Sequence, residues 1–199
     1  MVTIGIVIGS VRPGRQATRV VEFVKKQLAQ TNPDILITVI DPLEENLPLL
    51  INRYEYIKNS PDTPTNLAPL REKLVACDGY FIVSTEYNHT IPPALTNTLD
   101  YFWQAEYGHK PVGIITYSMG QLGGFGAAIA LFPYLNGLGM ITIPKKFAIG
   151  AVHTALTDEG EVGSSSTFPN IIEVFTPFCK ELIAYARLLK EGRAAGFHQ

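Results

Sequence analysis

Short apolar runs alternate with amphipathic stretches from one end of the chain to the other. Residues 2–8, 35–40, 80–84, 112–117 and 139–143 are rich in Val and Ile, and most are apolar without alternation. That pattern predicts five strands covered on both faces. Between them, residues 16–30, 66–77, 93–104 and 125–136 read as helices, and a last helix is expected over about 169–190. In that last segment Ile172, Val174, Phe175, Phe178, Leu182, Ile183 and Ala186 recur at a mostly helical spacing. Residues 42–65, with Pro42, Pro48, Pro61 and Pro64 around a polar middle, read as a long loop or short irregular helix. Residues 150–167 form a second loop, whose closing Ser164-Ser165-Ser166-Thr167 offers four candidate caps for the final helix.

Strand–helix alternation of this kind predicts an α/β protein, a parallel sheet with helices on both faces. Five strands in about 145 residues suit the doubly wound order 2-1-3-4-5 better than the longer six-strand dinucleotide fold. The expectation is a three-layer α/β/α sandwich forming one domain over residues 1–199.

Composition narrows the partners. Hydrophobic residues make up 46% and charged residues 17%, which fits a packed core rather than a disordered chain. A net charge of -2 gives no global reason to expect nucleic acid or an anionic membrane as partner. The two cysteines, Cys77 and Cys179, are too few for a disulfide framework and have no metal-ligand spacing, so they read as buried thiols in a reducing compartment. The first residues lack the basic start and small-residue cleavage site of a signal peptide, and their apolar run is far below the ~20 residues that span a bilayer. A cytoplasmic protein is expected.

Candidate chemistry lies in three loops. In an open parallel sheet, ligands bind beyond the carboxyl ends of the strands where the strand order reverses. After the first strand comes Gly9-Ser10-Val11-Arg12-Pro13-Gly14-Arg15-Gln16-Ala17-Thr18-Arg19, which leads straight into a helix. The unpaired N–H groups and positive dipole end of that helix suit a phosphate. Arg12, Arg15 and Arg19 add positive charge, Ser10 and Thr18 add hydroxyls, and no acidic residue appears before Glu22. The loop is neither G-x-G-x-x-G nor a P-loop, so it does not advertise a dinucleotide or a nucleoside triphosphate. The plainer alternative is a solvated basic turn capped by Ser10.

After the third strand comes Ser84-Thr85-Glu86-Tyr87-Asn88-His89-Thr90-Ile91-Pro92-Pro93. Tight turns of this composition leave backbone N–H groups pointing outward, and Tyr87 offers a flat ring, which suits a planar heteroaromatic ligand. A surface turn whose Pro92-Pro93 starts the next helix is the alternative. After the fourth strand comes Ser118-Met119-Gly120-Gln121-Leu122-Gly123-Gly124-Phe125-Gly126. Glycines at 120, 123, 124 and 126 are costly in chain entropy unless backbone must approach something closely, either a ligand edge or the packing of helix on sheet.

Together these segments resemble the NADPH-dependent FMN reductase family of flavodoxin-like quinone and azo-dye reductases. Gly9-Ser10-x-Arg12-x-x-Arg15 is similar to its phosphate loop. Glu86-Tyr87-Asn88, Pro92/Pro93 and Leu95-Thr96-Asn97-Thr98-Leu99-Asp100 are similar to its E-Y-N … P-x-x-L-x-N-x-[IL]-D segment, and Ser118-x-Gly120-x-x-Gly123-Gly124 to its S-x-G-x-x-G-G loop. The resemblance covers residues 1 to about 145. It implies a flavodoxin-like fold with tightly bound FMN. Ser10, Arg12, Arg15, Gln16, Ala17 and Thr18 would hold its phosphate by side chain or backbone. Thr85, Glu86, Tyr87 and Asn88 would meet the ring edge, and Ser118, Gly120, Gly123 and Gly124 would close the other side. Two positions depart from the pattern: Thr85 where many relatives have Pro, and Gly126 where many have Arg.

The implied activity is ping-pong electron transfer from NADPH or NADH to a small acceptor such as a quinone, flavin or azo compound. The flavin carries the chemistry, so no catalytic side chain and no metal are required. Loop 42–65 is the candidate wall of the acceptor pocket. The family also implies a homodimer or tetramer, to which Tyr101-Phe102-Trp103 and Tyr107 could lend an aromatic contact, packing of these rings in the core being the alternative. The competing function is a flavodoxin-type electron carrier or flavin-sensing protein without turnover. Such carriers tend to be strongly acidic, which a net charge of -2 is not.

Overall fold

The computed structural model describes residues 1–197. Its elements follow in the order β1 (Val2–Ile8), α1 (Ala17–Thr31), β2 (Ile35–Ile40), α2 (Pro42–Glu45), α3 (Tyr54–Ile57), α4 (Leu67–Ala76), β3 (Gly79–Ser84), α5 (Pro93–Asp100), α6 (Gln104–Tyr107), β4 (Pro111–Tyr117), α7 (Phe125–Gly137), β5 (Ile141–Ile149), α8 (Val152–Ala155) and α9 (Ile171–Ala194). The strands form one parallel sheet in the order β2-β1-β3-β4-β5. This is the flavodoxin-like arrangement the alternation predicts.

Strand periodicity sends alternate side chains into two layers. Ile4, Ile6, Phe81, Val83, Ile115 and Tyr117 face α1 and α9, where Phe23, Phe175 and Phe178 fill the space. Val7, Tyr80, Ile82, Val112 and Ile114 face α4, α5 and α7. The central strands β3 and β4 are buried at every residue, as both-sided cover requires.

Three expectations need correction. The last strand runs over Ile141–Ile149, well past the predicted 139–143. Pro144, Lys145 and Lys146 hide its continuation in the sequence; they are exposed because β5 is an edge strand, and the β4–β5 register shifts between Val112 and Ile114. Edges and bulges are where a sheet tolerates Pro and Lys. The helix predicted over 93–104 breaks after Asp100, and the Tyr101 carbonyl accepts instead from Tyr54 N–H at 2.8 Å. The final helix starts from Asn170 without a side-chain cap; none of Ser164 to Thr167 caps it. Segment 42–65 contains the two single-turn helices α2 and α3.

Candidate functional site

The carboxyl ends of β1, β3 and β4 lie side by side, so the three loops that leave them meet. Gly9 is still hydrogen-bonded to Val83 (2.9 Å), and Ser10 is 2% exposed. The Ser10 hydroxyl and the Tyr87 phenol share a hydrogen bond of 2.8 Å, which links the first loop to the second. The chain then turns through Gly14, at φ +68°, with Arg15 N–H donating to the Arg12 carbonyl (3.1 Å). α1 begins with no side-chain cap and no acidic residue in its first turn, leaving its leading N–H groups open to a ligand. Ala17 is buried and Thr18 exposed, so what these two positions bring to the site is backbone.

The three arginines have different fates. Arg15 grips Asp41 through both guanidinium nitrogens and donates to the Ser10 carbonyl (2.7 Å). The Asp41 hydrogen bond raises the Arg15 pKa above its ordinary value, against the pull of burial. Arg19 pairs with Asp158 and donates to the carbonyls of His153 (3.0 Å) and Leu156 (2.8 Å). Arg12 alone among these three has no carboxylate partner among the described residues; its guanidinium lies 3.7 Å from the centre of the Tyr87 ring. The loop therefore offers less free charge than its composition announces.

The second loop is a tight hairpin. Tyr87 and Thr90 exchange two backbone hydrogen bonds (3.2 and 3.0 Å), and Asn88 and His89 between them take φ +49° and +60°. Positive φ at both central residues is what a type I′ turn demands, and Asn tolerates it well. Asn88 and His89 face solvent. Glu86 turns away: its carboxylate accepts Ala127 N–H (3.1 Å) in the first turn of α7 and lies 3.2 Å from His89 Nδ1. The departure at Gly126 follows from this docking. A Cβ there would sit 2.7 Å from the His89 carbonyl oxygen, so only glycine lets turn and helix approach so closely.

In the third loop, Ser118 N–H extends the sheet to the Ile149 carbonyl (3.1 Å) and the Ser118 hydroxyl closes on the Gly120 carbonyl (2.8 Å). Gly123 and Gly124 are buried at φ +60° and +79°, and a Cβ on Gly123 would lie 2.9 Å from the Ile149 nitrogen. Of the two readings of the glycines, packing of turn against sheet is the one observed at 123 and 124. Gly120 is exposed, and a Cβ there would make only an ordinary contact with the Ser118 hydroxyl at 3.9 Å.

A cavity of about 300 Å³ joins all three loops. Ser10, Arg12, Arg15 and Gln16 line it from the first, Thr85 and Tyr87 from the second, and Ser118 with Met119 from the third. Ala17, Thr18, Glu86, Asn88, Gly120, Gly123 and Gly124 build the surrounding turns without lining it. Tyr117, which sequence reasoning passed over as the end of an apolar strand, also lines it. The buried side-chain polar atoms without a hydrogen-bond partner among the described residues are Gln16 Oε1, Thr116 Oγ1 and the Tyr117 hydroxyl oxygen. Two of the three belong to residues lining this one cavity. Burial pushes the Tyr117 phenol well above its ordinary pKa, with Arg15 and Ser10 pulling part of the way back, so it stays a proton donor at neutral pH. Hydroxyls, an amide and open helix N–H groups around one cavity suit a phosphate ester with a polyhydroxy tail.

Segment 42–65 is tied to α5 by Asn97, which accepts Leu50 N–H (2.8 Å) and donates to the Pro48 carbonyl (2.9 Å). A second cavity, of about 310 Å³, lies between Val11 of the first loop, residues 42–47 and Ala94, Asn97 and Thr98 of α5. Of the aromatic cluster, Tyr101, Phe102 and Tyr107 are core residues; Trp103 is 46% exposed, with Arg53 4.2 Å from its ring. Cys77 and Cys179 are free and buried, and burial pushes both thiols up to about 11.

Comparison with known proteins agrees with this geometry. Residues 2–154 match the family described as NADPH-dependent FMN reductase. Over 122 residues the chain is 33% identical to an NADPH azoreductase from a Bacillus species, a match covering 61% of this chain and 64% of that protein, just under two thirds of its length. It is 25% identical over 170 residues to a quinone reductase from Pseudomonas putida, covering 82% of this chain and 86% of the relative. The solved structure of a flavoenzyme NAD(P)H:(acceptor) oxidoreductase from Paracoccus denitrificans superimposes with a TM-score of 0.69 over 96% of this chain and 98% of that one; at 17% identity this likeness speaks for the fold.

Proposed function

This chain belongs to the NADPH-dependent FMN reductase family, and from that premise we propose that it holds FMN at the three-loop cavity and works as an NAD(P)H-dependent oxidoreductase on small acceptors such as quinones, azo compounds or free flavin. The observation that carries the reading is the cavity itself: two buried polar atoms without a partner among the described residues, Gln16 Oε1 and the Tyr117 hydroxyl oxygen, belong to its lining beside an uncapped helix start, at the edge where the fold binds ligands.

Ser10, Gln16 and the leading N–H groups of α1 would hold the phosphate, Ala17 and Thr18 contributing through their backbone. Thr85 to Asn88 and Ser118 to Gly124 would border the ring, Glu86 by fixing the hairpin onto α7 and the glycines by allowing the turn. Arg15 positions the first loop through Asp41, and Arg12 screens the opening from above Tyr87. FMN, when bound, would supply the redox chemistry, taking a hydride from NADPH or NADH and passing two electrons to the acceptor. The cavity between the first loop, segment 42–47 and α5 supports the assignment of segment 42–65 as a wall for the acceptor.

The protein is taken to fold as one domain and to act in the cytosol, a reading supported by its two unpaired thiols. A homodimer is part of the proposal. Leu49, Ile51 and Leu122 are at least 80% exposed, more apolar surface than these loops need in isolation.

The test is direct. The purified protein, or the protein incubated with FMN, should show a flavin spectrum that NADPH bleaches without oxygen and that a quinone restores. Bound flavin that neither NADPH nor NADH bleaches would shift the assignment to an electron carrier. Failure to take up FMN at all would refute the reading of the three loops.

A further inference from the structure

The site has one polar group that the family motifs do not account for. Tyr117 closes β4 on the α1 side of the sheet, its ring packed into the core and its side chain 3% exposed. Tyr117 lines the cavity where Ser10, Arg15 and Gln16 converge, with its hydroxyl oxygen buried behind that wall. The Ser10 hydroxyl bonds Tyr87 and lies near enough to the Tyr117 phenol to lower its pKa, and Arg15 is held by Asp41 and the Ser10 carbonyl; the Tyr117 oxygen itself completes no hydrogen bond among the described residues. A buried hydroxyl without a partner destabilises a protein, and phenylalanine would fill the same volume without that cost. The hydroxyl therefore makes sense as a donor kept for a ligand.

The ligand's chemistry follows from the neighbours. Two arginines of this loop are already neutralised by carboxylates, and Arg12, which lines the cavity, lies over the Tyr87 ring. An anion entering here would meet the Arg12 guanidinium at the rim and, further in, the α1 N–H groups and the Tyr117 phenol, since Gln16 Nε2 is given to the Gly14 carbonyl (2.9 Å) and Gln16 Oε1 is an acceptor. We propose that the Tyr117 hydroxyl is a phosphate-binding donor of the FMN site, left unpaired in the free protein and satisfied only by the ligand. The inference rests on the FMN reading above and adds a residue to it. Tyr117 thereby discriminates FMN from riboflavin, which presents the same ring and ribityl chain without the phosphate.

The proposal predicts opposite signs for stability and binding when one oxygen is removed. Tyr117→Phe should raise the melting temperature of the flavin-free protein by about 2 to 6 °C, since the variant no longer buries an unpartnered hydroxyl. The same variant should weaken FMN binding about 5- to 30-fold, measured by quenching of flavin fluorescence, and leave the riboflavin Kd unchanged. Tyr87→Phe is the control, because that phenol is paired with Ser10 and its loss should lower the melting temperature. A lower melting temperature for Tyr117→Phe would overturn the proposal, by showing that its hydroxyl is already bonded in the free protein. So would an unchanged FMN Kd, or an equal loss for FMN and riboflavin. A wild-type protein that binds neither flavin would instead remove the FMN reading beneath it, a result the variants cannot produce.

Discussion

The two ends of the sheet are built on opposite principles. At the amino-terminal edge the buried charges Asp78 and Lys110 are answered from within the fold. Asp78 accepts Thr3 N–H (3.0 Å) and Lys190 (2.8 Å) and lies 3.4 Å from Arg193. Lys110, 7% exposed, spends its ammonium on the Leu74 and Val75 carbonyls (2.9 and 3.0 Å) that end α4, with the Tyr80 hydroxyl at 3.4 Å. At the carboxyl edge, Gln16 and Tyr117, which line a smaller cavity, keep a buried polar atom each without a partner among the described residues. Volume alone would choose the wrong end, because a cavity of about 590 Å³ lies beside Lys110 and Arg193. Polar groups that satisfy one another hold a structure together; buried ones left unsatisfied beside a cavity point to a ligand.

The comparison breaks most visibly at Asp78. Asp78→Ala leaves Lys190 and Arg193 without their carboxylate and Thr3 N–H without its acceptor, and should cost about 3 kcal/mol of unfolding free energy. Urea unfolding would measure this loss, while the FMN Kd should not move. Coupled loss of FMN affinity would show that the two ends are not independent.

Asp41 tests the carboxyl edge itself. Asp41→Asn keeps the hydrogen bond to Leu43 N–H but loses the charge that holds Arg15, at a cost of about 2 kcal/mol. If Arg15 is a strut for the loop, FMN binding weakens together with stability. If Arg15 were instead a phosphate ligand restrained by Asp41, freeing it would tighten FMN binding, so the sign of the change decides. Gly126→Ala comes next, at about 1.5 kcal/mol, because its Cβ must push against the backbone carbonyl of His89. The displaced hairpin should weaken FMN severalfold in the same titration, although residue 126 does not line the cavity.

These contacts mark what the sequence could and could not reveal. β1 and β2 have the bounds their apolar runs predict, and the three loops were legible because strand ends and turn residues are local features. Arg15 with Asp41 is a pairing across 26 positions and Arg19 with Asp158 one across 139, and no local pattern announces either. The loop's apparent excess of positive charge was an artefact of reading it without its partners. Glu86 belongs to a motif read as ring-binding, yet its carboxylate caps α7, 41 residues away. Tyr117 was hidden differently, since a phenol at the end of an apolar strand reads as core and most of its ring is core. Its position on the α1 face, counted in twos from Ile115, was the available signal.

The smallest predicted effect concerns pH and belongs to the amino-terminal edge. Burial lowers the Lys110 pKa to about 8, with Arg193 lowering it further and Cys77, Asp78 and Glu106 raising it. A lysine with a depressed folded-state pKa binds fewer protons in the native than in the unfolded chain between about 8 and its ordinary 10.5. This group should therefore add about 1 kcal/mol of stability between pH 8 and 9. The buried Cys77 and Cys179 thiols, both raised from 9.0 to about 11, work the other way from about pH 8 upward, because the unfolded chain releases their protons first, and together they offset about 0.7 kcal/mol over the same interval. Urea unfolding at pH 8 and pH 9 in the wild type and in Lys110→Met isolates the lysine by difference, the change in the variant being about 1 kcal/mol more negative than in the wild type. An equal change in the wild type and the variant would mean that Lys110 keeps its proton in the fold, and that its bonds to the α4 carbonyls outweigh the cost of burying the charge. FMN binding should follow neither change, since the group that titrates is at the end of the sheet where the polar contacts are already complete.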